Sequence, residues 1–170
     1  MGHNAAMKAP YSMFARFVLA VMIFAPIPAK ADSALGGSYA KGHQSGGPFE
    51  GTGTGYKFFL GSYGTVLGGE FEFVDFRRVG GDGPRAQAFG SALTVGYPIS
   101  MVTPFGKVGL AYSRVNSTAS TSESKHYGLY YGLGLRFGGV QGFGLRVEYE
   151  RFRLASDHTD LASVGIEYRY

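Results

Sequence analysis

Cysteine is absent from the 170 residues, which excludes disulfide bonds and a lipid anchor attached to a cysteine. Tryptophan is absent as well, and after residue 31 no apolar run approaches the roughly 20 residues of a membrane-spanning helix. A strong charge of one sign is also lacking there, because removing Lys8, Arg16 and Lys30 from the 16 basic residues leaves 13, against 12 acidic ones. A nearly neutral chain gives no reason to expect a nucleic-acid partner.

The first 31 residues are predicted to be a cleavable secretory signal peptide. Lys8 and Arg16 precede the apolar run "FVLAVMIFAPIPA", and the small-residue motif Ala29-Lys30-Ala31 follows it. The run is too short for a membrane anchor and contains two prolines. We therefore expect export, cleavage after Ala31, and a single domain over residues 32–170.

Residues 32–170 alternate between apolar and polar side chains with a period of two, which is typical of β-strands. No segment shows a convincing helical repeat. The alternation predicts eight strands: Ala34–Lys41, Thr54–Tyr63, Val66–Arg77, Ala86–Tyr97, Phe105–Val115, His126–Phe137, Phe143–Arg153 and Leu161–Tyr170.

The links between these strands alternate in length. The first, third, fifth and seventh are longer and polar: "GHQSGGPFEG", "VGGDGPR", "NSTASTSESK" and "LASDHTD". The others are tighter: the turn around Gly64, "PISMVTP" and "GGVQG". An up-and-down antiparallel meander places all the longer links at one end, which is the asymmetry of outer-membrane barrels.

A soluble sandwich or lipocalin-like barrel would also alternate, with one face in the core and the other in water. The two faces of strand seven carry different residue types: Phe143, Leu145, Val147 and Tyr149 on one, and Gly144, Arg146, Glu148 and Glu150 on the other. Glycine weakens a strand and has no purpose beside charges that face bulk water. In the interior of a narrow barrel, however, glycines make room for long Arg and Glu side chains. The apolar face then meets lipid.

The fold class predicted is therefore all-β: an eight-stranded antiparallel up-and-down transmembrane β-barrel. Such a barrel pairs all of its backbone groups in hydrocarbon, and strands of this length match a tilted crossing. Aromatic residues are expected in two interfacial girdles. The periplasmic girdle would contain Tyr97, Phe105, Phe137, Phe143, Tyr168 and Tyr170, and the outer one Tyr112, Tyr127, Tyr149 and Phe152.

Strand two departs from this pattern. Lys57, Phe59 and Tyr63 share one face, which would place two aromatic rings inside the barrel. We expect a β-bulge near Gly61 that shifts the alternation and returns the rings to the outside.

Six segments, in order, resemble the OmpA-like transmembrane barrel family of Gram-negative outer membranes: "GYKFFLGSYG", "GGEFEFVDF", "FGKVGLAYSRV", "GLYYGLGLRFG", "GLRVEYERF" and "SVGIEYRY". The resemblance covers essentially all of residues 32–170. It implies a cell outer membrane location, a periplasmic N-terminus, and a terminal aromatic residue that resembles the signal read by the assembly machinery. Many members continue into a peptidoglycan-binding domain. Because this chain ends at Tyr170, a cell-wall tethering role is not expected.

Ten charged residues are predicted to face the lumen, five of each sign: Lys57, Lys107, Arg136, Arg146, Arg169, Glu70, Glu72, Glu148, Glu150 and Glu167. Unpaired charge in a tight interior is costly, so the balanced count favours a salt-bridge network that plugs the barrel. The resemblance implies that Glu70 and Arg146 form a central ion pair, which acts as a gate in a conducting barrel. Where the resembled barrels can carry an acid, this chain has Arg136.

An enzyme is the next hypothesis, since lipid A deacylases with this fold carry a His and a Ser two residues apart on the outer wall. The segment "SESKHYG" lacks that spacing, because Gly128 follows His126 at the second position and Ser124 precedes it. We therefore expect no catalytic site. His43, His126 and His158 come from three outer links without fixed carboxylate partners, so no metal and no cofactor are expected. "VGGDG" lacks the Lys-Ser/Thr of a phosphate loop and is a turn.

The predicted function is a structural or small porin-like role in the outer membrane. The expected partners are outer-membrane lipids and lipopolysaccharide, with the C-terminal strand recognised by the assembly machinery and the barrel a monomer. Adhesion to host or surface ligands through the outer links is the alternative. Those links are short and rich in Ser, Thr, Gly and Asn, which limits the surface they present.

Overall fold

The computed structural model describes most of the chain after the predicted signal peptide. The described ranges are 32–45, 51–76, 85–116, 123–138, 141–154 and 157–170. The predicted signal peptide, residues 1–31, lies outside them.

The eight predicted strands are all present, and most extend beyond their predicted ends. They are β1 (Asp32–Ser45), β2 (Gly51–Tyr63), β3 (Leu67–Phe76), β4 (Arg85–Gly96), β5 (Val102–Asn116), β6 (Glu123–Phe137), β7 (Gly142–Leu154) and β8 (Asp157–Arg169). Each strand pairs antiparallel with the next, and β8 pairs with β1 to close the barrel. A search of the described residues for a helix long and apolar enough to cross a membrane finds none.

Closure is complete along the seam between the first and last strands. The β1–β8 register runs from Ala34 opposite Arg169 to Ser45 opposite His158. Beyond its lower end, Ser33 and Tyr170 exchange two backbone hydrogen bonds of 3.1 and 2.9 Å. We call the end of the barrel that carries Ser33 and Tyr170 the lower rim, and the opposite end the upper rim. The terminal segment "LASVGIEYRY" is therefore the closing strand, and the seam leaves no open sheet edge to hydrocarbon.

The barrel is inside out compared with a soluble protein. Leu133 on the outer wall is 71% exposed, whereas Arg146 inside is 0% exposed. Apolar side chains cover the outer wall on all eight strands, and the charged side chains of six of them lie in the lumen. The predicted orientation of the two faces is confirmed.

The predicted bulge near Gly61 is wrong. The β1–β2 register is regular through this point, with Leu35 opposite Leu60 and Ala34 opposite Gly61. Phe59 and Tyr63 are 5% and 8% exposed, so their rings lie in the lumen. The alternation needs no correction, because the bore accommodates aromatic rings as well as charges.

The predicted place is also wrong for two members of the girdles. Phe105 and Phe152 are buried in the lumen, on the faces of β5 and β7 that carry Lys107 and Glu150. A position near a strand end suggested the membrane interface, but the alternation within the strand decides the face. The other eight predicted girdle residues face outward: Tyr97, Tyr112, Tyr127, Phe137, Phe143, Tyr149, Tyr168 and Tyr170.

The strands also reach further towards the upper rim than the sequence predicts. β7 ends at Leu154 and β8 begins at Asp157, so most of the predicted link "LASDHTD" belongs to strands. The residues of this extension are polar and do not show the apolar alternation that predicts a strand. A strand pair that continues past the membrane meets water and needs no apolar face.

Glycines make room in the lumen, mainly for rings. A Cβ at Gly134 would lie 2.5 Å from the ring of Phe105, and one at Gly90 would lie 2.9 Å from the hydroxyl of Tyr130. Glycine also serves the carboxylates, since a Cβ at Gly132 would lie 2.9 Å from Glu150 Cγ. The many glycines on the inner faces therefore allow large side chains to cross a narrow bore.

We expect Gly134→Ala to lower the free energy of unfolding by about 1–3 kcal/mol, because the methyl group would overpack the Phe105 ring and the Val147 carbonyl. The matched control is Gly106→Ala, where the added Cβ points outward and meets nothing closer than 3.5 Å. Urea unfolding in lipid vesicles measures both. An equal loss in the two variants would contradict the tight fit.

Candidate functional site

All ten predicted lumen charges belong to one connected group. Nine are buried, and Arg169, near the lower rim, has a side chain that is 16% exposed. They come from β2, β3, β5, β6, β7 and β8, because the inward positions of these strands meet across the bore. We call this group the charged layer.

Two lysines lie among the carboxylates of β3 and β7. Lys57 Nζ donates to Glu150 Oε2 at 2.8 Å and also contacts Glu148. Lys107 Nζ donates to Glu72 Oε2 at 2.6 Å and also contacts Glu150. Each lysine therefore neutralises more than one carboxylate.

Arg146 lies below the lysines and is held on several sides. Its Nη2 donates to both oxygens of Glu70, at 2.6 and 2.9 Å, and its guanidinium also contacts Glu148. Tyr63 accepts from Arg146 Nη1 at 3.0 Å and donates to Glu70 Oε2 at 2.5 Å. The ring of Phe59 lies 4.0 Å from the guanidinium carbon. The Glu70–Arg146 pair that the resemblance implies is thus present in this structure.

Arg136 relies on rings more than on carboxylates. Its guanidinium carbon lies 3.9 Å from the centre of the Tyr63 ring and 4.0 Å from that of Phe105. Its Nε lies 3.8 Å from Glu167 Oε2, which is too long for a hydrogen bond. Glu167 is shared with Arg169, whose Nη2 lies 2.5 Å from Oε1. Cation–π contacts in a desolvated site contribute about 2 kcal/mol, so the rings stabilise this arginine substantially.

An apolar layer covers the charged layer on the side of the upper rim. Tyr130 and Phe152 stack with ring centres 4.9 Å apart and planes 2° apart, and Phe76 meets Phe152 edge-on at 6.2 Å. The upper apolar layer consists of Ala40, Val74, Phe76, Ala88, Ala92, Ala111, Tyr130, Phe152 and Leu161. The interior is therefore filled by two chemically different layers.

The energetics favour a static network. Removing a charge from water costs several kcal/mol, and only close opposite charges with good hydrogen bonds recover that cost. Five cations and five anions lie here within an eight-stranded bore, which is just wide enough for side chains to fill. This arrangement connects six strands through ion pairs.

The sequence analysis missed the aromatic part of the site. Phe59, Tyr63 and Phe105 contact the arginines, and Tyr130 and Phe152 stack above the lysines. The signal was available, since each ring shares its strand face with a predicted lumen charge. It was overruled for Phe105 and Phe152 by the expectation that aromatic residues lie at the membrane interface, and for Phe59 and Tyr63 by the expected bulge.

The structure gives a different position to the histidines. His43 and His158 lie within β1 and β8, not in links, and His126, the first residue of the predicted sixth strand, lies within β6. His126 shares its strand face with Tyr130, which faces the lumen, so it does not point at lipid. The side chain of Ser124 lies outside the described residues. Within the described parts of the chain, no three of the residues His, Cys, Asp and Glu group to suit a metal ion.

A family model, "Outer membrane protein beta-barrel domain", matches residues 17–170. Its match confirms the kind of family that the six segments resemble. A search of curated proteins finds no match.

Solved structures with the same fold are small outer-membrane barrels. Neisserial surface protein A (NspA) is 13% identical, with a TM-score of 0.67, over 81% of this chain and 97% of that one. Ail of Yersinia pestis, solved in complex with the heparin analogue sucrose octasulfate, is 18% identical, with a TM-score of 0.59, over 83% and 99%. The outer membrane enzyme PagL is 16% identical, with a TM-score of 0.50, over 78% and 98%. These likenesses concern the fold, which is shared by an enzyme and by other proteins.

We expect Glu70→Gln to lower the free energy of unfolding by about 3–5 kcal/mol, because the buried Arg146 then loses the carboxylate to which its Nη2 donates twice. The matched control is Asp160→Asn, which removes the carboxylate of a similar Arg–carboxylate pair on the outer wall, with Arg151. That pair is partly exposed, so its loss should be much smaller. Urea unfolding in vesicles measures both, and similar losses would show that burial does not decide the cost.

Proposed function

This chain belongs to the outer membrane protein beta-barrel domain family, and we propose that it is a sealed, structural barrel of the outer membrane that carries out no catalysis. The observation that carries the proposal is the filled lumen, in which the charged layer lies beneath the upper apolar layer. In this role the barrel contributes a rigid, closed wall to the membrane and admits no solute.

The upper apolar layer supports the seal by its chemistry. An ion that entered from the upper rim would have to lose its water among the side chains of Phe76, Tyr130 and Phe152. Transfer of an ion into such surroundings is strongly unfavourable. If only the Glu70–Arg146 ion pair opened, the upper apolar layer would still obstruct the passage of ions.

The packing of Arg146 also favours a seal over a gate. A gating arginine needs a second position in which it is equally well paired. Arg146 contacts Glu70, Glu148 and Tyr63 at once and lies against the Phe59 ring. Rotation would leave at least two buried carboxylates without this partner, which is costly.

The exterior supports the remaining parts of the proposal. The apolar outer wall suits direct contact with lipid, and the closed seam gives no strand edge for pairing with a second copy. We therefore propose a monomer whose outer wall is solvated by outer-membrane lipids. The C-terminal strand, which ends in the outward-facing Tyr168 and Tyr170, is proposed as the element that the assembly machinery recognises.

We expect no single-channel conductance steps from the purified barrel in planar bilayers. Arg146→Gln should also be silent, because the upper apolar layer remains in place when the ion pair is cut. Heat-modifiable migration on gels, applied to protein recovered from outer-membrane fractions, verifies that each sample is folded. Steps from folded wild type would contradict the sealed barrel. Steps that appear only in Arg146→Gln would favour the ion-pair gate.

A further inference from the structure

The outer wall changes from apolar to charged at one level on three adjacent strands. On β8, Val164 and Ala162 are followed by Asp160 towards the upper rim, and on β1 Tyr39 is followed by Lys41. On β7 the change occurs after Tyr149. The register places Tyr149, Ala162 and Lys41 side by side, so the three changes lie within one outward position of one another. This level is where the hydrocarbon of a membrane would give way to headgroups.

A groove crosses this level along β8. Its upper part is a hollow of about 230 Å³ between Lys41, Tyr149 and Asp160. Its lower part is a hollow of about 270 Å³ between Tyr39 and Val164. Both hollows are open to the surroundings, and Lys41 and Ala162 line both, so the two adjoin. The small side chain of Ala162, between the larger Tyr149 and Lys41, leaves the space.

The upper part of the groove carries positive charge. Lys41 is exposed beside it, and Arg153 is exposed on β7 towards the upper rim. Arg151 donates to Asp160 through two hydrogen bonds of 2.5 and 2.8 Å, which neutralises that carboxylate. Of the side chains that the structure describes on the outer faces of β7, β8 and β1, only Asp160 is acidic. With histidines counted as neutral, this surface has an excess of two positive charges.

The opposite wall near the same rim is covered by large rings. On β4, β5 and β6, Phe89, Tyr112 and Tyr127 lie side by side in register, and the last two rings are 4.9 Å apart. Large rings cover that surface, with Arg114 exposed towards the upper rim, whereas the β8 surface has a hollow beside Lys41. The two walls therefore present different surfaces to the same membrane level.

We propose that the groove along β8 binds one lipid of the surrounding leaflet that bears a phosphate group. The phosphate lies against Lys41, with Arg153 adding to the local positive potential, and an acyl chain follows Ala162 and Val164 into the apolar band. A soluble polyanion would use the upper hollow only, whereas the apolar lower hollow faces hydrocarbon. This site goes beyond the sealed-barrel role and does not depend on whether the lumen conducts.

The absence of tryptophan allows a clean test by fluorescence quenching. Tyr149→Trp places one reporter on the groove, and Phe89→Trp places a matched reporter on the opposite wall. Each variant is reconstituted in phosphatidylcholine vesicles that contain either brominated phosphatidylglycerol or brominated phosphatidylcholine. At the groove reporter we expect the phosphate-bearing anionic lipid to bind roughly fivefold better than the zwitterionic one, since a basic residue near anionic lipid contributes about that factor. The opposite reporter also lies near an exposed cation, Arg114, but large rings cover that wall, so the ratio there should be clearly smaller.

Two further changes separate the charge from the hollow. In the Tyr149→Trp background, Lys41→Gln should lower the preference to near one, and Ala162→Leu should lower it by filling the hollow. Heat-modifiable migration verifies that each variant is folded. Equal ratios at the two reporters, or a preference that survives both changes, would overturn the proposal. Binding of sucrose octasulfate by the wild type, without any lipid preference at the reporter, would assign the basic residues to a soluble polyanion and would also overturn it.

Discussion

The structure depends on the fact that a charge inside a narrow, closed barrel cannot keep its water and has to be neutralised by other side chains. An eight-stranded wall leaves a bore that side chains fill, so the ten charged side chains have to neutralise one another. Their equal numbers of each sign follow from this constraint. Lys57, Lys107 and Arg146 each contact more than one carboxylate because the narrow bore brings carboxylates of different strands within reach of a single side chain.

Aromatic rings stabilise a cation that the carboxylates do not fully neutralise. Arg136 lies far from an ideal ion pair, with Glu167 at 3.8 Å, but its guanidinium is held between the rings of Tyr63 and Phe105. Rings of this size fit only where the facing strand carries glycine, as Gly134 does beside Phe105. The narrow interior therefore has three consequences: glycine on the inner face, rings beside cations, and paired charges.

The alternation of the sequence was sufficient to predict the fold and the inward face of every lumen charge. It failed where a second expectation overruled it. Phe59 and Tyr63 were moved outward by an assumed bulge, and Phe105 and Phe152 by an assumed place in the girdles. A period of two identifies the face of a residue, but it does not tell whether the bore has room for a ring. The pairing of Lys107 with Glu72 was also beyond the sequence, because it depends on the stagger between strands that are distant along the chain.

A filled bore has a consequence for where a specific activity can be located on such a barrel. If the charged layer and the upper apolar layer close the lumen, ligands reach only the upper rim and the outer wall. The outer wall is not uniform, since the small Ala162 between Tyr149 and Lys41 leaves a hollow on one side, whereas the large rings of Phe89 and Tyr112 cover the other. A membrane surrounds both sides equally, so a difference between them is not required for insertion. The groove along β8, with its hollow and its basic residues, is consequently a part of the described wall with features that insertion into a membrane does not require.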